Sequence, residues 1–252
     1  LRPLMAHAHM HGDLVFLDAK GEEATVWRKV ARVARGGEAI CAMIDELYAE
    51  MQRRADLMDE RDLSVWDGAQ LTVVGDENQA ILAAIAGGDD SKARLQRYRE
   101  VSSQGRSRGV VLLMATQKPT MSGSAPGIDS QMAGNVEQRI ALRVANSTDA
   151  QTALDACADY GPDLIPIDRS TQGLCYLAGY GPTLIRGWFM DNAAVRSLPR
   201  KVWNEDATLT PEERVAKFLS ANPDASKREV AAGTGIPEGS AQRLISKVRE
   251  SA

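Results

Sequence analysis

The sequence predicts an α/β fold, a mostly parallel sheet with covering helices, followed by a small all-α unit. Three observations carry that expectation. Apolar runs at residues 14–17, 71–75 and 110–115 each stop abruptly in polar or charged residues: Asp18-Ala19-Lys20, Asp76-Glu77 and Thr116-Gln117-Lys118. Buried strands end this way at the edge of an open sheet, where ligands bind. Amphipathic stretches at residues 38–62 and 91–103 separate the runs, the alternation that builds parallel sheets. After Pro199 the apolar runs give way to Lys, Trp, Asn, Asp and Thr, and short helix signals follow.

In chain order, Leu1, Leu4, Met5 and Ala8 have helical spacing, and Gly12 suits the helix stop. Residues 13–18 then read as a buried strand. His7, His9 and His11 are the three histidines. Residues two apart on a helix diverge, so they do not converge on one ion, and the stretch reads as solvated or tag-like. Residues 38–62 form a long helix with Ile40, Met43, Ile44, Leu47 and Met51 as its apolar stripe. Asp67-Gly68 closes the connection into the strand at residue 71. After Gln79 come a short apolar segment, a Gly87-Gly88 break and a helix with Leu95, Tyr98 and Val101 inward. Residues 119–134 form a long loop rich in Ser, Gly and Met, a candidate functional segment. Residues 139–144 alternate as a strand with Arg139 and Arg143 on one side, residues 146–157 read as a helix, and residues 173–178 and 184–189 flank residues 179–182 as a hairpin.

The expected division is a large domain over residues 1–198, a linker at 199–209 and a small domain at 210–252. In the small domain Thr210 caps a helix at 211–220, with Glu212 and Glu213 in its first turn. Residues 227–233, a turn through Gly235-Ile236-Pro237 and a last helix at 238–250 bearing Gln242, Arg243 and Lys247 describe a helix-turn-helix. A three-helix module that does not bind DNA is the other reading.

At 252 residues the chain is long enough to bury a sizeable core, and no run has the length needed to span a bilayer. A net charge of -4 excludes a uniformly basic nucleic-acid coat, so DNA binding must be local. Cys41, Cys157 and Cys175 are far apart without metal-ligand spacing, as expected of incidental thiols in a reducing cytoplasm. A first residue Leu with no signal-like segment reads as a fragment or trimmed product.

The adjacent carboxylates after residue 75 admit two readings, an acidic turn or a metal site. Several segments together resemble the motor domain of the FtsK/SpoIIIE family of DNA translocases, particularly its conjugative, TraB-like branch. Leu71 to Glu77 resembles a Walker B strand, and Asp18-Ala19-Lys20 the Asp-Pro-Lys motif, with Ala19 in place of proline. The Glu-Met-Gln-Arg-Arg at residues 50–54 is similar to the family's Glu-Met-Glu-Arg-Arg. Ala115-Thr116-Gln117-Lys118-Pro119 resembles Ala-Thr-Gln-Arg-Pro, and Arg139-Ile-Ala-Leu a family strand.

The resemblance implies a RecA-like P-loop NTPase core, a hexameric ring around double-stranded DNA and ATP hydrolysis at subunit interfaces. It implies that Asp76 holds Mg²⁺ and Glu77 activates water. Thr116 or Gln117 would sense the γ-phosphate, Asp18 and Lys20 would lie at the nucleotide, and Arg139 would serve a neighbouring subunit's nucleotide. A structural salt bridge is the alternative for Arg139. The protein would work at the cytoplasmic face of the membrane, attached only through a segment not present here.

The 252 residues contain no G-x-x-x-x-G-K-[ST] loop. The chain is therefore expected to begin just after that loop and to hydrolyse no ATP alone. An ATP-driven DNA translocase, in conjugation or chromosome segregation, is the first expectation. A DNA-binding adaptor on a degenerate motor scaffold is the second, and a metal-dependent nuclease is weaker for want of further carboxylates or histidines.

Overall fold

The computed structural model describes residues 1–121, 123, 126–154, 161–179, 183–205, 209–234 and 236–251. The chain forms two compact units, Leu1–Trp203 and Asn204–Ala252.

The first unit opens with α1 (Arg2–His11), β1 (Asp13–Asp18), α2 (Ala24–Trp27), β2 (Arg32–Arg35) and α3 (Gly37–Glu60). Next come β3 (Leu71–Asp76), α4 (Asn78–Gly87), α5 (Ser91–Gln104) and β4 (Val110–Met114). The four strands pair in parallel in the order β2-β1-β3-β4. Alternation along the strands gives the sheet two apolar faces. Val15, Leu17 and Val73 pack with Ile40, Ile44, Leu47, Ile81 and Tyr98 of α3–α5. Leu14, Phe16 and Val74 pack with Met5 of α1 and Trp27 of α2. Fully burying such a side chain contributes about 1.5–3 kcal/mol, so the helices on both faces fix the sheet and the edge at which it ends.

The α/β architecture with a parallel sheet is as expected, with differences in detail. Residues 24–35, to which the sequence reading gives no element, form α2 and β2. The short apolar segment after Gln79 is the helix α4, with Ile81 and Ile85 one turn apart on its buried side. His9 is not solvated: it is 1% exposed, and its Nε2 lies 2.7 Å from the Pro199 carbonyl. The His7 and His11 rings touch in a tilted arrangement, with centroids 4.3 Å apart and planes at 44°. Residues 199–203, which composition places in a linker, are fastened to the first unit. The Lys201 amide donates to Val30 O at 2.8 Å, its ammonium donates to Gly12 O at 2.8 Å, and Trp203 lies in the core beneath the Arg32 guanidinium.

The rest of the unit comprises α6 (Ser130–Ala133), β5 (Ile140–Leu142), α7 (Ser147–Leu154), β6 (Leu174–Leu177), β7 (Leu184–Arg186) and α8 (Asn192–Arg196). Strands β5, β6 and β7 make a separate antiparallel sheet. The strand expected at 139–144 is thus only three residues long, and Trp188 and Phe189, expected within a strand, lie beyond β7 and are 86% and 91% exposed. The end of the helix expected to reach Cys157, the hairpin turn at residues 180–182 and Gly235 lie outside the described residues.

The second unit packs α9 (Pro211–Ala221), α10 (Lys227–Thr234) and α11 (Glu238–Ser251) around Val215, Leu219, Val230, Ile236, Leu244 and Ile245. Thr210 and Glu213 form a reciprocal capping box at the start of α9. Gly233 permits the close approach of α10 to α9, since a Cβ there would stand 2.0 Å from the Phe218 ring. Among the described residues no helix is long and apolar enough to cross a membrane.

Candidate functional site

Strands β1, β3 and β4 end at one edge of the sheet. The register pairs Asp18 with Asp76 and Gly75 with Met114, so the three polar exits lie side by side. The pairing continues beyond the strands: Ala115 N donates to Gly75 O at 2.9 Å, and Asn78 N to Ala115 O at 2.7 Å.

Glu77 is the centre of this edge. Its backbone is left-handed, φ 57° and ψ 74°, a conformation that a residue with a Cβ adopts only under constraint. The turn buries the carboxylate between two strand exits. Its Oε1 accepts from the Thr116 hydroxyl at 3.0 Å and the Gln117 amide at 3.3 Å, and its Oε2 accepts from Lys20 Nζ at 3.3 Å. Thr116 also lies 3.1 Å from Lys118 O, so one hydroxyl proton serves two acceptors. Gln117 contributes its main chain to this network, while its side chain is exposed.

Asp76 is the opposite case. It is half-buried, and its carboxylate makes no hydrogen bond among the described residues. Burial pushes its carboxyl above the usual carboxylate range, and the charges of Asp18, Glu23 and Glu77 push the same way against Lys20. Asp18, by contrast, is committed to the fold: its two oxygens accept from Gly21 N and Ala24 N, both at 2.7 Å. Those bonds shape the turn that carries Lys20. Gly21 is required in it, because its φ is +78° and a Cβ would meet Arg35 Nε at 2.5 Å.

Among the described residues no cluster of three His, Cys, Asp or Glu could hold a metal ion. The residue that could hold a hard divalent cation at this edge is Asp76, a single carboxylate of the kind that serves Mg²⁺. The desolvated Asp76 carboxylate, without a hydrogen-bond donor among the described residues, is the observation that fits.

Sequence reasoning missed the support beneath Glu77. Asn78, fully buried, accepts from the Tyr98 hydroxyl at 2.9 Å and donates to the Gly127 carbonyl at 3.0 Å. Burial pushes the pKa of Tyr98 well above the ordinary value. Gly127 must be glycine, since a Cβ would fall 1.6 Å from Lys118 O. Arg99 holds Asp129 with two bonds, at 3.0 and 2.7 Å, and holds its pKa low. The loop after β4 is therefore tied to the residue following Glu77. A polar Asn at the start of an otherwise apolar helix was the available signal.

Arg139 is not part of the Glu77 network. Beside β5, it donates to the carbonyls of Thr152 at 3.4 Å and Ala133 at 3.2 Å. On α11, Gln242, Arg243 and Lys247 are exposed. Lys247 pairs with Glu212 at 2.5 Å, whereas Arg243 makes no hydrogen bond or ion pair among the described residues. Arg243 lines a groove with Pro211, Arg214 and Ser240, in which the buried Arg214 Nε has no partner.

No family model matches the chain. Protein Tra of Streptomyces lividans is 28% identical over 166 residues, 60% of this chain and 27% of that protein. DNA translocase FtsK of Listeria monocytogenes is 24% identical over 220 residues, covering 80% of this chain and 28% of the relative. FtsK of Halalkalibacterium halodurans is 26% identical over 235 residues, 81% of this chain and 28% of the relative. The chain is homologous to the FtsK-type DNA translocases. It spans about a quarter of the length of these FtsK-type relatives and Tra. Two solved structures share the fold. The pCW3 conjugation coupling protein TcpA, in monomer form with ATPγS, superposes with a TM-score of 0.59 at 22% identity, over 74% of this chain and 55% of that one. The cytoplasmic domain of the Thermomonospora curvata type VII secretion ATPase EccC gives 0.52 at 19% identity, over 77% and 25%.

Proposed function

We propose that this chain carries the hydrolytic half of an FtsK-type motor site and serves a machine that moves double-stranded DNA by ATP hydrolysis. The observation that carries the reading is the edge itself. Two adjacent carboxylates leave β3, one buried and fixed by donors from the neighbouring strand exits, the other desolvated and without a partner. An acidic turn facing water needs neither the left-handed backbone at Glu77 nor the three donors gathered on its carboxylate.

In this reading Asp76 would hold Mg²⁺, which would supply charge neutralisation to the phosphates. Glu77 orients the attacking water through Oε2, the oxygen that Lys20 faces. Thr116 and the Gln117 main chain report the phosphate end of the nucleotide to Glu77, because they share its Oε1. Lys20 answers phosphate charge at the same edge, and Asp18 acts through the turn it shapes. Arg139 would serve a neighbouring subunit only after leaving its two carbonyls, so a role in trans requires β5 to rearrange in the homo-oligomer, a ring of six by the family resemblance. The second unit is read as a helix-turn-helix that contacts DNA through Gln242, Arg243 and Lys247.

The phosphate grip lies outside these 252 residues in this reading. The outer edge of β4 has no strand partner among the described residues, and Leu112, Leu113 and Met114 there are only half-buried. An apolar strand with such an edge is a template for one more parallel strand, which would bring a phosphate loop beside Thr116. The test is ATPase activity with and without duplex DNA. The chain alone is expected to hydrolyse none. Joined behind a strand bearing a G-x-x-x-x-G-K-[ST] loop, it is expected to show DNA-stimulated hydrolysis that Glu77→Gln abolishes. A joined protein that binds ATP but shows no DNA-stimulated turnover overturns the motor reading.

A further inference from the structure

The charges around Asp76 are unevenly compensated. Asp18 spends both oxygens on backbone amides, and Glu23 is held by Arg2 at 2.8 and 2.7 Å. Asp76 and Glu77 remain, and the cation set against them is Lys20, whose Nζ lies 3.3 Å from Glu77 Oε2. The two ends of that pair differ: the Lys20 side chain is 40% exposed and the Glu77 side chain 8%. A flexible four-carbon stem on an open turn is free to swing, while the carboxylate is fixed by Thr116 and Gln117.

We propose that Lys20 is a resident counter-cation of the Asp76–Glu77 pair, which a divalent cation must displace before Glu77 is free to act on water. The inference rests on Asp76 being the metal carboxylate. Like charges repel, and the Lys20 ammonium already acts electrostatically on Asp76, so a metal arriving at Asp76 meets that charge, and the ammonium, the less constrained of the two, moves. Its departure has two consequences. Glu77 Oε2 loses its one cationic partner and opens to water, and the released ammonium is available to phosphate oxygens at the same strand edge. Lys20 thus couples metal loading to exposure of the catalytic carboxylate, which guards against a free Glu77 in the absence of cofactor.

The test is direct binding of Mn²⁺ to the full chain, read by water proton relaxation without any turnover, in the wild type and in Lys20→Met, Lys20→Arg and Asp76→Asn. Removing the competing charge is expected to tighten Mn²⁺ binding by about three- to ten-fold in Lys20→Met. Lys20→Arg, which keeps the charge and can grip Glu77 with two bonds, is expected to bind no tighter than wild type. Equal or weaker Mn²⁺ binding in Lys20→Met, with a site that Asp76→Asn removes, overturns the counter-cation role and leaves the metal reading standing. A Mn²⁺ affinity unchanged by Asp76→Asn overturns the metal reading, and this inference with it. Lys20→Gln, which keeps length and polarity without charge, is expected to match Lys20→Met, and a match to wild type instead overturns the role.

Discussion

Asp76 and Glu77 are neighbours in sequence and opposites in environment. Glu77 occupies a left-handed backbone that costs a residue with a Cβ about 1–2 kcal/mol, and it stays there because three donors hold its carboxylate. Asp76 has the reverse problem, a desolvated charge without a donor. Its carboxyl titrates above its unfolded value, so the folded state binds the extra proton, and stability falls as pH rises through the window that opens near about 3.9 and extends upward. Above that window the penalty is complete. Asp76→Asn is therefore expected to raise Tm at pH 7 by about one or two degrees, with the gain vanishing near pH 3. A scan of Tm against pH for both proteins checks the sign. Millimolar Mg²⁺ is expected to stabilise the wild type and leave Asp76→Asn unmoved, because only a folded-state site gains from mass action.

Strand exits and loop behave as one element through Asn78. Asn78→Ala strands the Tyr98 hydroxyl and the Gly127 carbonyl in the protein interior, at a cost of about 2–4 kcal/mol for the two lost partners. Tyr98→Phe removes one donor and is expected to cost about half as much. Denaturant unfolding followed by tryptophan fluorescence measures both, and limited proteolysis within residues 119–128 reports whether the loop is released before the unit unfolds. A destabilised protein with an unchanged loop cleavage rate would mean that Asn78 supports α4 alone. The sequence shows β1, β3 and β4 plainly, because a short uninterrupted apolar run that stops at polar residues suits a strand buried on both faces. It hides β2 for a physical reason. Arg32 and Arg35 make that strand look solvated, yet Arg32 is buried by pairing with Glu46 at 2.6 and 2.5 Å and stacking over Trp203. A partner fourteen residues away and another near the end of the unit are invisible to local pattern. The same holds for His9, whose burial depends on Pro199, and for Asn78, whose two partners lie on α5 and the β4 loop. The acid pair was legible; what fixes it was not.

For the whole molecule, charge decides where DNA can be held. The chain carries 30 basic and 34 acidic side chains, so a duplex is repelled on average and must be captured by local geometry. The second unit has no bulk excess either, and most of its cations are occupied: Lys227 and Arg228 face Glu238, Arg249 donates to Pro223 O, and Lys247 pairs with Glu212. Arg243 stands apart with no partner among the described residues, which makes it the side chain with the least to lose on meeting a base edge or phosphate. In fluorescence anisotropy with the full chain, Arg243→Ala is expected to weaken binding to a preferred duplex by about 1–3 kcal/mol and to flatten discrimination between duplexes. Lys247→Ala is expected to act evenly on all duplexes and to reduce the salt slope by about one unit. Glu212→Gln separates this reading from a protein-docking one. If Lys247 must leave Glu212 to reach a phosphate, removing the carboxylate charge tightens DNA binding at low salt and the advantage shrinks as salt rises. A duplex affinity insensitive to Glu212, Arg243 and Lys247 alike would place DNA elsewhere and leave the exposed face of α11 to a protein partner.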